Sequence, residues 1–153
     1  FAAAFGFGAV WITNTEGTPT GPRGSVQCID PATNRVVATI PTGLVPRFLA
    51  AGEGGVWTLN QGDGTVTRID PVHRAVAATI VTGMAGSGGD IATGGGRVWV
   101  RGKPTLLVAI DAATNRVTER YGPPAGSGGV RVADDLVWIT AHDLRAVWVM
   151  RAR

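Results

Sequence analysis

The pair Val-Trp returns at Val10-Trp11, Val56-Trp57, Val98-Trp99 and Val137-Trp138, so the tryptophans stand 46, 42 and 39 residues apart. A second marker, Ile-Asp, returns at Ile29-Asp30, Ile69-Asp70 and Ile110-Asp111, at intervals of 40 and 41 residues. Two markers keeping step mean one structural unit repeated along the chain, and such units bury their apolar surfaces by stacking on their neighbours. Between the markers each unit carries short β-branched or aromatic runs divided by turn residues. That punctuation belongs to a four-stranded propeller blade of about 40–45 residues, not to a helical repeat of similar length.

In the second unit the runs predict strand a at 48–52, b at 55–60, c at 65–70 and d at 76–81, and the other units follow by alignment. Strand b is apolar at consecutive positions, as in Val98-Trp99-Val100 and Val137-Trp138-Ile139. Both faces of its sheet must then be covered, as they are when blades stack, and the tryptophans are expected in the core. The c–d turns read Asp30-Pro31-Ala32-Thr33-Asn34-Arg35 and Asp111-Ala112-Ala113-Thr114-Asn115-Arg116, with Asp70-Pro71-Val72-His73-Arg74 as a looser copy. Asp accepts backbone N–H bonds, Pro presets φ, and Asn tolerates the left-handed conformation, so these acids are turn punctuation and not general acids. The fold expected is all-β: a propeller of about four consecutive four-stranded antiparallel blades at 1–43, 44–83, 84–124 and 125–153, the last lacking strand d.

Composition narrows the function classes. The 23 glycines and nine prolines demand many turns, and 44% hydrophobic content is enough for a packed core. The net charge is +3, but the 14 basic residues lie singly along the chain, a pattern unlike a nucleic-acid surface. The one cysteine, Cys28, has no internal disulfide partner, and with His73 and His142 it forms no zinc ligand set. No apolar run reaches the roughly 18 residues of a membrane helix. The start, Phe1-Ala2-Ala3-Ala4-Phe5, lacks a basic flank and an initiator Met and reads as a cut end, not a signal.

Trp11-Ile12-Thr13-Asn14, then Val26-x-x-Ile29-Asp30-Pro31-x-Thr33-Asn34-x-Val36, then Ile40-Pro41-Thr42-Gly43 resemble the propeller family named for its Tyr-Val-Thr-Asn motif. The resemblance spans nearly the whole chain and implies a fold without a shared active site. The repeats are also similar to the streptogramin lyase group, virginiamycin B lyase-like propellers in which a divalent metal, glutamates and histidines open a cyclic ester. That group's strand b reads Trp-Phe-Thr-Glu. Here Asn14, Asn60, Gly102 and Ala141 take the Glu position, so this resemblance implies a metal site built mostly outside this segment.

Antiparallel strands put the b–c and d–a loops on one side of a propeller and the a–b and c–d turns on the other. The a–b and c–d turns are short and stereotyped; the b–c and d–a loops vary, and variable loops on a rigid scaffold are where binding sits. The b–c connection of the first unit carries an insertion at 15–25. The expected binding face holds Glu16, Arg23, Arg47, Asp63, Asp90, Arg101, Lys103, His142, Asp143 and Arg145, with Arg47 and Asp90 nearest the channel mouth. His142 beside Asp143 reads as a solvated turn, since adjacent turn residues seldom face each other. Gly86-Ser87-Gly88-Gly89 and Gly126-Ser127-Gly128-Gly129 lead into no helix, so they read as flexible inter-blade connectors and not phosphate cradles.

The strands leave nothing over for ring closure, so the chain is expected to be a segment of a larger propeller. Both end blades would expose apolar faces, and the isolated chain is expected to pair with further blades or with a second copy. The function expected is a non-catalytic ligand- or protein-binding scaffold. A metal-dependent lyase-like propeller and a sensor propeller attached to a regulator are the alternatives.

Overall fold

The computed structural model describes residues 2–18 and 21–152, and the side chains of all of these except 16–18 and 21–23. The described strands form four antiparallel sheets in chain order. The first holds β1 (Ala3–Gly6), β2 (Ala9–Thr18), β3 (Gly21–Asp30) and β4 (Arg35–Thr42). The second holds β5 (Pro46–Gly52), β6 (Gly55–Asn60), β7 (Thr65–Asp70) and β8 (Ala75–Val81). The third holds β9 (Asp90–Gly94), β10 (Arg97–Arg101), β11 (Leu107–Asp111) and β12 (Arg116–Tyr121). The fourth has three strands, β13 (Val130–Ala133), β14 (Leu136–Ala141) and β15 (Ala146–Arg151).

The turns explain why each strand ends where it does. Every a–b turn has positive φ at both central residues: Phe7-Gly8, Glu53-Gly54, Gly95-Gly96 and Asp134-Asp135. This is the primed hairpin geometry whose twist matches the flanking strands. Each c–d turn is held by its aspartate, which accepts the backbone N–H of Ala32 at Asp30, of Val72 and His73 at Asp70, and of Thr114 at Asp111. Asn34, Arg74 and Asn115 close these turns at φ of 56°, 53° and 59°. A register shift then follows at the same place in all three c–d ladders, at Cys28/Ile29, Arg68/Ile69 and Ala109/Ile110.

These turns make a pH dependence. The Asp70 carboxyl is held down to about 2, from an ordinary 3.8, first by the His73 side chain and then by the backbone N–H of His73 and Val72. The Asp30 carboxyl is lowered by the Ala32 N–H and then the Thr33 hydroxyl, and that of Asp111 by the Thr114 hydroxyl and N–H. A carboxyl lowered by folding contributes stability that is complete above its unfolded pKa and is lost as pH falls through the folded one. Stability is therefore expected to drop from about pH 4 downward to about pH 2. Asp70→Asn is expected to flatten that fall in urea titrations run at each pH; an unaltered slope would show that the turn does not contribute.

The sheets pack like the blades of a propeller. Inner strands β1, β5, β9 and β13 lie side by side in chain order, while the outer strands splay, and among the described residues no comparable contact joins β13 back to β1. Three cores fill the wedges between sheets. Trp11, Val26 and Cys28 meet Leu49, Val56 and Ile69; Trp57, Leu59 and Val66 meet Ile91, Val98 and Ile110; Trp99 and Leu107 meet Val130, Val137 and Ile139. Each of these indoles faces the next sheet and donates from Nε1, at 3.0 Å, to a glycine carbonyl five residues earlier, in Gly6, Gly52 and Gly94. That bond satisfies the ring's one polar group and lets it be fully buried. Trp138 differs: it is 44% exposed, because no sheet covers its face. Cys28 is buried, and burial pushes its thiol pKa up, as in an inert core cysteine.

The insertion expected as a loop at 15–25 is strand instead. β2 and β3 continue through the pairs Thr15↔Gly24, Glu16↔Arg23, Gly17↔Pro22 and Thr18↔Gly21. A paired ribbon satisfies backbone N–H and C=O groups that a loop would leave to water.

Candidate functional site

The b–c and d–a segments form one hydrogen-bonded rim. Gln61 and Gly62 donate from their N–H groups to Val45 and Leu44 of the preceding d–a segment, and Gly86 of the following one donates to the Gln61 carbonyl at 2.8 Å. In the same way His142 donates to Ser127, and Gly128 to Gly88. The glycine segments connect successive sheets, as expected, and these bonds tie them into the rim. A Cβ on Gly128 would lie 1.8 Å from the Thr140 carbonyl oxygen and 3.0 Å from Arg101 Nε, so the backbone there passes where only glycine fits.

Arg101 is the largest departure from expectation. It ends β10 with no exposed surface, buried against the fourth sheet. Its guanidinium donates to the carbonyls of Thr140 at 3.1 Å and Ala125 at 2.8 Å, and to that of Gly102. Burial pushes its pKa down, and the Asp143 carboxylate opposes that shift. The side chain is a stitch between sheets and not part of an open binding face. Its position matches Leu59 of the second sheet, which also points into the next wedge.

Two aspartates are also committed internally. Asp63 is exposed, but its carboxylate accepts the Leu44 N–H at 2.8 Å and the Thr65 N–H and hydroxyl at 3.0 and 2.7 Å. Asp90, at the start of inner strand β9, accepts the Val130 N–H at 3.0 Å and pairs with Arg131 at 2.5 Å. It thus joins neighbouring inner strands. Arg131 went unrecognised in the sequence because its partner lies 41 residues away. The Asp90–Arg131 pair borders a cleft of about 270 Å³ along the inner strands, floored by Leu49, Ile91 and Val132.

Arg47, Lys103, His142, Asp143 and Arg145 are exposed and spread around the rim. Arg47 sits at a register shift in β5, Lys103 reaches Ser87 at 3.4 Å, and His142, Asp143 and Arg145 occupy the β14–β15 turn. His142 and Asp143 form no hydrogen-bonded pair in that turn, whose closing bond runs from the Arg145 N–H to the His142 carbonyl. The side chains of Glu16 and Arg23 lie outside the described residues. Arg68, which no motif flagged, stacks 4.9 Å over Trp57 and donates to Ala112 and Asn115 of the third sheet.

The donors present do not fit the divalent metal that the lyase resemblance implies. Among the described residues no three His, Cys, Asp or Glu side chains converge as a ligand set. At the position of that group's glutamate, Asn60 is buried and its amide donates to Thr65 and Thr67. Its Oδ1, with Gln61 Nε2 nearby in sequence, has no hydrogen-bond partner.

No known family profile matches the chain, and neither does any curated protein. Solved structures do. A chain of Kuenenia stuttgartiensis hydrazine synthase superposes with a TM-score of 0.71 at 19% identity, over 94% of this chain and 43% of that one. BamB from Moraxella catarrhalis gives 0.75 at 12% identity, over 97% of this chain and 42% of its own. The computationally designed Ika4 protein gives 0.76 at 15% identity, over 97% and 88%. The chain thus spans less than half of the first two, and at these identities the likeness is one of fold. Four successive antiparallel sheets with these likenesses make the chain a β-propeller in fold.

Proposed function

We propose that this is a non-catalytic scaffold of the Tyr-Val-Thr-Asn propeller type, whose b–c and d–a rim binds an acidic protein surface. One observation carries the reading. Arg47, Lys103 and Arg145 are exposed on that rim, and among the described residues none of them is paired with a carboxylate. Among the described side chains of the rim, Asp90 is paired with Arg131, and the three exposed cations outnumber the two exposed carboxylates, Asp63 and Asp143. Dispersed cations on rigid turns attract and orient an acidic partner without assembling a reaction centre.

The test is retention on an immobilised polyglutamate peptide. The chain is expected to bind at low salt and to elute by about 0.5 M salt, where screening is strong. The triple variant Arg47→Glu, Lys103→Glu, Arg145→Glu is expected to lose at least about tenfold in affinity. Equal retention of both proteins would refute the reading.

A further inference from the structure

The three wedges between sheets are filled differently at one layer, next to the rim. Two places beyond the buried strand-b tryptophans stand Thr13, Leu59 and Arg101, on the tryptophan's own side of the strand and so turned toward the following sheet. Across each wedge, just after the next tryptophan, stand Thr58, Val100 and Ile139, paired with Thr67, Val108 and Trp148 of strand c. At this layer the second wedge is apolar, with Leu59 and Val100 in one core, and the third is filled by the Arg101 guanidinium. The first wedge carries three threonines there instead, Thr13, Thr58 and Thr67, none more than 1% exposed. Val56, two residues before Thr58, belongs to the core shared with the first sheet, which fixes the side to which Thr58 and Asn60 turn.

The polar atoms of this layer do not all find partners among themselves. Thr13 Oγ1 accepts the Ala2 N–H at 2.8 Å, and Thr67 Oγ1 accepts from Asn60 Nδ2 at 2.8 Å and from the Gly43 N–H at 3.4 Å. Thr58 Oγ1 and Asn60 Oδ1, on the same side of β6, have no partner in the protein. The orientation of the Asn60 amide is set by its neighbour. The Thr65 hydroxyl gives its proton to Asp63 at 2.7 Å, so toward Asn60 it can only accept, and it takes Nδ2 at 2.9 Å. A buried hydroxyl and a buried carbonyl left bare both cost stability. Nor does the sheet require the hydroxyl, because valine, nearly the same shape, stands at the place of Thr58 in the third sheet.

We propose that the first wedge holds a bound water, which donates one hydrogen to Asn60 Oδ1 and shares a second hydrogen bond with Thr58 Oγ1. The two groups suit such a ligand, one accepting only and the other able to give or take, and a buried water needs at least about two polar partners. Thr13 is shorter than Leu59 or Arg101 at the same repeat position and leaves the room. The water does in the first wedge what the guanidinium does in the third, supplying donors to buried carbonyl oxygens between two sheets. It does not depend on what the rim binds.

Oxygen-17 magnetic relaxation dispersion of the 153-residue chain, which counts long-lived internal waters, tests the site directly. Thr13→Leu copies Leu59 and fills the space, and it is expected to hold one such water fewer than the wild type. In urea unfolding, Thr58→Val is expected to raise the unfolding equilibrium constant about fivefold, the loss of one net hydrogen bond. A bare hydroxyl would give the opposite sign, because its replacement by a methyl group removes a desolvated polar atom. Thr58→Val as stable as the wild type or more stable would overturn the proposal. So would a wild type with no long-lived water, or equal water counts in the wild type and Thr13→Leu.

Discussion

Trp99→Ala is expected to lower the unfolding free energy by about 3–5 kcal/mol, the range for truncating a large buried aromatic. The indole has no exposed surface and packs among Val130, Val137 and Ile139. Its removal opens a cavity in the wedge between the third and fourth sheets, takes from the Gly94 carbonyl the donor that reaches it at 3.0 Å, and takes away the ring 5.6 Å beneath the Arg97 guanidinium. Trp138→Ala, at the same repeat position, is expected to cost less than about 1 kcal/mol, because that ring is already 44% in water. Urea unfolding of the two variants measures the difference. Equal costs at the two tryptophans would mean that the wedges do not carry the stability.

Arg101→Ala has the second large effect, about 2–5 kcal/mol, from the buried volume it leaves empty and the carbonyls it leaves without a charged donor. Three carbonyls, of Gly102, Ala125 and Thr140, lose their donor in a place that water does not reach. Arg101→Leu, which copies Leu59 of the second sheet, refills the volume but not the hydrogen bonds, so its cost is expected to fall between alanine and wild type. Lys103→Ala, two residues on and exposed, is expected to stay within about 0.5 kcal/mol of wild type. If the alanine changes at 101 and 103 cost the same, Arg101 is a surface residue and the junction between the third and fourth sheets is wrongly understood.

The same pair of residues marks the boundary between local and tertiary information. In sequence, Arg101-Gly102-Lys103 follows an apolar strand and reads as the start of a solvated loop, and for Lys103 that is correct. Arg101 is covered by Thr140 and Ala125, 39 and 24 residues further on, and no local pattern says which side chain a later blade will close over. Asp90 is a similar case, since its role depends on the Val130 N–H and on Arg131 of the next inner strand. The glycine segments are bounded in the same way: the Thr140 carbonyl that leaves no room for a Cβ at Gly128 belongs to another strand.

What the amino-acid order alone determined is the blade. The second sheet's central strands fall at Gly55–Asn60 and Thr65–Asp70, where the β-branched and aromatic runs and the Ile-Asp turn put them, because strand composition and turn chemistry are properties of neighbours in the chain. The four strand-b tryptophans, at 11, 57, 99 and 138, were equivalent by that measure. Only stacking distinguished them, burying Trp11, Trp57 and Trp99 under a following sheet and leaving Trp138 open. Burial is set by what lies across a wedge, and the residues across it are brought there by the radial packing of whole sheets and not by any short stretch of sequence.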